Sequence, residues 1–535
     1  VCDPCFAALQ FLKGKEEVKM LSKVNSIGIF GLHTFPVETE VFISQGKYRF
    51  DIVGLPDAAV NEAKERVWAA VKNSGFGFSN NHITVNLAPA DVKKEGSLYD
   101  LPIFIAIVYS LRKPSPDMSD CAFIGELSLS GEVRSVNGVL PMVLEARAAG
   151  IKRMFVPFAN VSEASVVDGI DVYGVKHVKQ LSAYLENRDT GEWGEPVPVE
   201  KLKYVPATAA ETMLDFSDVK GQQAAKRALE VAAAGGHNFL MVGPPGSGKS
   251  MLAKRIPGIL PDMTFEESLE TTKIYSIAGL LKRGEGLVRS RPFRSPHHTV
   301  SSAGLSGGGA VPRPGELSLA HNGVLFLDEM PEFSRAAMEV MRQPIEDGKI
   351  TISRVAGTLS YPCSVMLVAA MNPCPCGYLG HPTRRCTCSP QAAEKYVSRV
   401  SGPLLDRIDI QVEVPPVNFD ELTGKDTVEE SSAEIKARVD RARQIQSERF
   451  AGTSTTCNAK MTPAQTREFC VLSPIAKALL KSAFDKLGLS ARAYDKILRV
   501  ARTVADLDGS DIIDIKHISE AIRYRSYDRK RAIPD

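Results

Sequence analysis

Gly243-Pro244-Pro245-Gly246-Ser247-Gly248-Lys249-Ser250 follows directly on the apolar run Phe239-Leu240-Met241-Val242. The run reads as a short central strand. The eight residues after it fit G-x-x-x-x-G-K-[ST], in which glycines let backbone N–H groups turn toward phosphate oxygens. In this pattern Lys249 reaches the β- and γ-phosphates and Ser250 ligates Mg²⁺. A helix beginning at Lys249 turns its positive dipole end to the same anion. Strand, glycine loop and helix together predict an α/β domain that binds and hydrolyses ATP.

Val324-Leu325-Phe326-Leu327-Asp328-Glu329 brings two carboxylates to the end of a second apolar strand, at the sheet edge where open α/β folds hold their ligands. Asp328 is expected to hold the Mg²⁺ shell and Glu329 to polarise the attacking water. Ser364 to Met371 reads as another strand, ending in Asn372, whose amide offers both a donor and an acceptor to that water or to the γ-phosphate. Arg407 stands before the strand-like run Ile408 to Val414, where an arginine can act as a finger on a neighbouring subunit's γ-phosphate. Near the C-terminus, Tyr494, Ile497, Leu498, Ala501, Val504 and Ala505 form one apolar helix face behind Ser490 as N-cap. Arg492 then lies in the first turn, where a cation is unfavourable unless an anion faces it. A nucleotide phosphate and a solvated surface position both account for it.

The 535 residues are too many for one core and predict about two to four domains. With a net charge of +2, no global field demands a nucleic-acid partner, so any such contact must be local. The longest apolar stretch, Leu101 to Leu111, is shorter than the twenty or so residues of a membrane span, and no membrane association is expected. Residues 1–19 read as an N-terminal extension without the pattern of a secretory signal, so the expected location is cytoplasmic. Residues 20–185 alternate strand-like and helical runs, 186–210 form a proline-containing linker, 211–416 hold the nucleotide-binding domain, and 417–535 are helical.

With these motifs in place, the chain resembles the magnesium-chelatase-like AAA+ ATPases of the ComM/YifB family over nearly everything after Met20. Phe293-Arg294-Ser295-Pro296-His297-His298, Pro314-Gly315-Glu316-Leu317-Ser318-Leu319-Ala320-His321 and Ser401 to Asp409 carry the resemblance. It implies an AAA+ P-loop domain with a helical lid. Gly243 to Ser250 then become Walker A, Asp328 and Glu329 Walker B, Asn372 sensor 1, Arg407 the arginine finger and Arg492 sensor 2. It further implies a homo-hexameric ring with ATP between subunits, working as a DNA motor that drives branch migration during DNA uptake and recombination. A metal-insertion motor similar to true magnesium chelatase, or a protein-remodelling ATPase, is the alternative.

Gly125-Glu126-Leu127-Ser128-Leu129-Ser130-Gly131-Glu132-Val133 and Ala146 to Lys152 resemble the proteolytic domain of Lon, an S5-like α/β domain. The position of Lon's serine nucleophile falls at Asp100 and that of its lysine base near Leu140. Neither side chain can perform that chemistry, so proteolysis is disfavoured and a scaffold or docking role is expected. Ser97, three residues earlier, keeps a hydroxyl.

Ten cysteines in a cytosolic chain argue for thiols or a metal rather than disulfides. Cys374-Pro375-Cys376 and Cys386-Thr387-Cys388 form two close thiol pairs that could hold tetrahedral zinc, with His381 as a substitute ligand. Reduced thiols in a surface insert are the alternative. Cys121, Cys363 and Cys470 read as small core residues, and His297 and His298 as hydrogen-bonded structural histidines. Gly348 to Arg354 and Thr358 to Tyr361 flank Val355-Ala356-Gly357 as a β-hairpin. By the family resemblance such a hairpin enters a central pore, where Lys349 and Arg354 could grip the phosphates of branched or single-stranded DNA. Ser301 to Pro314 is a second candidate pore loop, and Arg523 to Arg531 reads as a solvated basic tail.

Overall fold

The computed structural model describes residues 20–76, 81–111, 116–201, 214–282, 284–309, 312–354, 357–417 and 429–525. The extension 1–19, the hairpin turn 355–356 and most of the basic tail lie outside them. The chain forms two compact units: residues up to Tyr204 with Tyr275–Leu287, and Val205–Ile274 with Val288 onward.

In the first unit the alternating apolar runs become a mixed eight-stranded sheet. Its strands are β1 (Met20–Phe30), β2 (His33–Gln45), β3 (Arg49–Val53), β4 (Asn81–Ala88), β5 (Cys121–Phe123), β6 (Arg153–Pro157), β7 (Asp171–Val175) and β8 (Val197–Pro198), in the order β8-β7-β6-β5-β1-β2-β4-β3. On β4 the sequence Asn-His-Ile-Thr-Val-Asn-Leu-Ala alternates buried and half-buried positions, the period of a sheet with one covered face. Helix α1 (Ala58–Asn73) buries Val60, Ala63, Val67, Ala70 and Val71 at helical spacing. Helix α2 (Asp100–Ser110) is apolar on all sides and buried throughout, which is why the greasy stretch noted in the sequence is a core helix. The proline-containing stretch read as a linker supplies β8, an edge strand on which Pro198 needs no ladder donor.

The second unit is built on a five-stranded parallel sheet of β9 (Phe239–Val242), β10 (Phe293–Arg294), β11 (Val324–Leu327), β14 (Met366–Met371) and β15 (Ile410–Glu413), ordered β10-β11-β14-β9-β15. β9, β11 and β14 are buried at every residue. Both sheet faces are therefore covered, which explains their unbroken apolar runs. The hairpin β12 (Lys349–Arg354) and β13 (Gly357–Pro362) stands apart as its own two-stranded sheet. Among the described residues, five helices follow: α3 (Ser432–Arg449), α4 (Pro463–Phe469), α5 (Pro474–Leu487), α6 (Ala491–Leu507) and α7 (Ile515–Arg523). On α6, Ile497, Leu498, Ala501, Val504 and Ala505 are buried in the core that includes Phe239, Met241 and Val412.

Candidate functional site

Parallel pairing sets the site. Val242 lies opposite Met371 and Leu327 opposite Ala369, so the glycine loop, Asp328 and Asn372 leave the sheet side by side at its C-terminal edge. Gly243 must lack a side chain, because a Cβ there would lie 2.2 Å from the Val414 carbonyl oxygen. Gly246 and Gly248 hold φ of 79° and 90°, a region that L side chains avoid. Pro244, Pro245 and Ser247 complete the loop. The Lys249 ammonium donates to the Gly243 and Pro244 carbonyls at 2.8 Å each and to Asn372 Oδ1 at 3.4 Å. Burial lowers its pKa from the usual lysine value, and Asp328 and Glu329 oppose that shift. The Ser250 hydroxyl donates to Asp328 Oδ2 at 2.6 Å, which brings together the two groups expected to share Mg²⁺.

Glu329 carries an exposed side chain on a left-handed backbone with φ of 51°. Such a conformation costs about 1–3 kcal/mol for a residue other than glycine and concentrates at functional sites. The next residues turn into a 3₁₀ helix, Met330–Glu332, so the chain bends sharply at Glu329 just past the strand end. Gln222 was not singled out from the sequence. It too has a positive φ, 58°, and its amide donates to the Pro415 carbonyl at 2.6 Å and to the Ser247 carbonyl at 3.3 Å, bracing the glycine loop from outside. The Gly221-Gln222 turn ahead of a helix was the available signal.

The two arginines lie elsewhere. Arg407 pairs with Glu346 through one guanidinium nitrogen and donates to the Pro403 carbonyl, 2.6 Å away, through another. Arg492 is 71% exposed, and its ion pair is with Asp406, the residue before Arg407, at 3.9 Å. Among the described residues neither contacts Lys249, Ser250 or Asp328. The structure thus gathers Lys249, Ser250, Asp328, Glu329 and Asn372 in one cluster, and sets Arg407 and Arg492 near each other through Asp406. Beside them a half-buried polar network ties the arginine loop to α6. Asp409 accepts the Lys496 ammonium at 3.0 Å and the Asn238 backbone N–H at 3.0 Å, and Lys496 also reaches the Ile408 carbonyl. Burial pushes the Asp409 carboxyl up, but Lys496 and His237 outweigh it and hold it well below the carboxylate range.

Asn372 leads into the four cysteines. Their sulfurs lie within 4.8 Å of one another, with 3.4 Å between Cys374 and Cys376, 3.7 Å between Cys374 and Cys386, and 3.6 Å between Cys376 and Cys386. Cys388 Sγ accepts the Cys376 backbone N–H at 3.4 Å. Backbone N–H groups of Tyr378 and Thr387 pull the Cys376 thiol down to about 5. His381 is half-buried, and its Nδ1 is held by the Thr383 and Arg384 backbone N–H groups, away from a ligand role. Burial instead pushes Cys121, Cys363 and Cys470 up to about 12, in keeping with inert core thiols. His297 and His298 stack at 4.1 Å, with His297 bonded to Thr299.

On the hairpin, Ile350, Ile352, Leu359 and Tyr361 are buried, whereas Lys349, Thr351, Ser353, Thr358 and Ser360 face outward. Arg354 ends β12 beside the turn, opposite Gly357. The Tyr361 hydroxyl donates to the Pro312 carbonyl, and a Cβ on Gly307 would lie 3.0 Å from Ile352. The two stretches read as separate pore loops therefore pack on each other.

In the first unit Asp100 opens α2 fully buried, accepting Arg66 through two nitrogens at 2.6 and 3.0 Å and the Leu127 backbone N–H at 3.1 Å. Leu140 is buried, and the Ser97 hydroxyl donates to Glu126. The neighbouring Lys94 is capped by the Pro89 and Val92 carbonyls.

Three family descriptions match the chain: "Magnesium chelatase, subunit ChlI" over residues 215–422, "Subunit ChlI of Mg-chelatase" over 39–160, and "Magnesium chelatase, subunit ChlI C-terminal" over 429–525. It is 42% identical to YifB of Escherichia coli, covering 95% of this chain and 98% of that one. To the competence protein ComM of Haemophilus influenzae it is 41% identical, covering 95% and 97%. Shorter matches join it to the DNA repair protein RadA of Bacillus subtilis, 43% identical over 20% of this chain and 23% of that one, and to Lon protease of Buchnera aphidicola, 27% identical over 28% and 21%. Among the described residues no helix is long and apolar enough to cross a membrane.

Proposed function

The chain belongs to the ComM/YifB family of magnesium-chelatase-like AAA+ proteins, with a Lon-like α/β domain ahead of its ATPase domain, and from that premise we propose that it is an ATP-hydrolysing ring motor that moves on DNA. The observation that carries ATP hydrolysis is the convergence of Lys249, Ser250, Asp328, Glu329 and Asn372 at one sheet edge. Lys249 and the loop amides bind the phosphates, Ser250 and Asp328 hold Mg²⁺, and Glu329 with Asn372 orients the water. Arg407, lying apart from that cluster, acts on the nucleotide of a neighbouring subunit and Arg492 serves as sensor 2 toward a nucleotide phosphate, so the working unit is read as a ring, a hexamer.

DNA as the track is supported by relatives named for competence and DNA repair and by the outward polar face of the hairpin with Lys349 at its base. Branch migration of recombination intermediates is the activity proposed. The family descriptions favour a second reading, an ATPase for metal insertion into a tetrapyrrole. ATP turnover measured alone and with branched, single-stranded and duplex DNA, with a tetrapyrrole and with casein separates them. Stimulation by DNA supports the motor; stimulation by tetrapyrrole alone replaces it with the chelatase reading.

A further inference from the structure

The stretch from Cys374 to Cys388 leaves the nucleotide site. It begins two residues after Asn372, which accepts from Lys249, and it ends just before Ser389, the N-cap of the helix Pro390–Val397. Between them, Gly377 lies flat on the glycine loop. A Cβ at Gly377 would sit 2.5 Å from Pro245 Cδ, and its φ of 82° already excludes most side chains. Cys374 is fully buried, and none of the four cysteines is in a disulfide.

The sulfur spacing is that of a metal site. A tetrahedral zinc with bonds of about 2.3 Å holds its thiolates about 3.8 Å apart. The separations among Cys374, Cys376 and Cys386, 3.4 to 3.7 Å, fall near that edge length, far outside the bond of a disulfide. All four sulfurs are mutually within reach, which closes the coordination shell and leaves no open position for a substrate. We infer that Cys374, Cys376, Cys386 and Cys388 bind one structural Zn²⁺, and that the metal stiffens a strut pressing Gly377 against Pro245 so that the glycine loop and Asn372 keep a fixed separation. The strut's effect on turnover rests on the ATPase reading above; the zinc itself does not.

The test uses the full chain, purified without added metal. Elemental analysis should give one zinc per chain, and exchange for Co²⁺ should give the visible absorption of tetrahedral thiolate coordination. Cys386→Ser with Cys388→Ser should lose both signals, whereas Cys386→His, which keeps a ligand, should retain zinc. Loss of the metal should lower ATP turnover about 10- to 100-fold through misplacement of the loop, and Gly377→Ala should lower it while the zinc remains. Wild-type protein free of zinc and giving no tetrahedral Co²⁺ spectrum overturns the site, whatever its ATPase activity. Zinc-depleted protein with unchanged nucleotide affinity and turnover overturns the strut. A zinc-loaded protein that binds no ATP overturns the proposed function and leaves the metal site standing.

Discussion

Lys249 and Asp100 are both buried charges at the first residue of a helix, yet the fold treats them in opposite ways. Asp100 is locked: a two-nitrogen contact with Arg66 and a backbone N–H surround its carboxylate. Lys249 meets two backbone carbonyls and one side-chain amide, all neutral acceptors, and its nearest carboxylates act on it only at a distance. A phosphate can displace such partners and gain the full charge; nothing comparable can displace Arg66. A site built to bind leaves its charge without an ionic partner, and a site built to hold the fold pairs it in place, although burial still pushes the Asp100 carboxyl up to about 6.

The largest test of the contrast is at the binding side. If Arg407 acts on a neighbour, Arg407→Ala should lower steady-state ATP turnover by about a thousandfold or more while nucleotide affinity stays close to wild type. Lys249→Ala should reduce turnover about 100- to 1000-fold and weaken nucleotide binding as well. Glu329→Gln should bind ATP and fail to hydrolyse it. Mixing Arg407→Ala with Lys249→Ala subunits should restore part of the activity, since some interfaces then pair an intact loop with an intact arginine. No restoration at any mixing ratio places both groups in a single subunit's site.

At Asp100 the expectation reverses. Asp100→Asn breaks a buried pair and leaves Arg66 with only the exposed Glu62 carboxylate, 3.8 Å away, a loss of about 3 kcal/mol in stability to denaturant. ATP turnover per folded molecule should stay unchanged. A fall in turnover without a fall in stability would remove the distinction drawn between the two charges.

What could be read in advance follows the range of the interactions. The glycine loop, the strand ends at Asp328 and Asn372 and the apolar face of α6 are each carried by a few neighbouring residues, so spacing alone located them. The hairpin was legible for the same reason, its two strands being separated by a short turn. The thiol pairs of the cysteine cluster were equally local. Arg66, 34 residues before Asp100, was invisible because no local pattern ties them. Arg492 was placed in the first turn of its helix by local spacing, but its ion pair with Asp406 depends on tertiary packing. The contact between Gly307 and Ile352 likewise depends on tertiary packing.

Asp409 lies between the two extremes, since it is half-buried and ion-paired, and supports the loop that carries Arg407. Its folded pKa is depressed, so its contribution to stability is present above the unfolded value of about 4 and is lost as pH falls toward the folded one. Asp409→Asn should therefore be less stable than wild type at neutral pH. The deficit should shrink as pH falls below about 4, because the unfolded chain then takes up a proton that the folded carboxylate still refuses. A deficit independent of pH down to acid unfolding would mean that the substitution acts by packing rather than by charge.

The smallest expected effect concerns the outward face of the hairpin, where charge is neither locked nor buried. Lys349 is exposed, and among the described residues it has no carboxylate partner, so an approaching phosphate would displace only water and counterions. Each phosphate neutralised by such a lysine adds about one to the slope of log affinity against log salt concentration. Lys349→Ala should flatten the salt dependence of DNA binding by about one and weaken binding alike across sequences, with DNA-free ATP turnover unchanged. Reversing charge at both Lys349 and Arg354 should deepen the loss by adding repulsion. Should single- and double-site variants bind branched and single-stranded DNA with the wild-type salt slope, the hairpin does not touch the phosphates, and its hydroxyl-lined face needs another role.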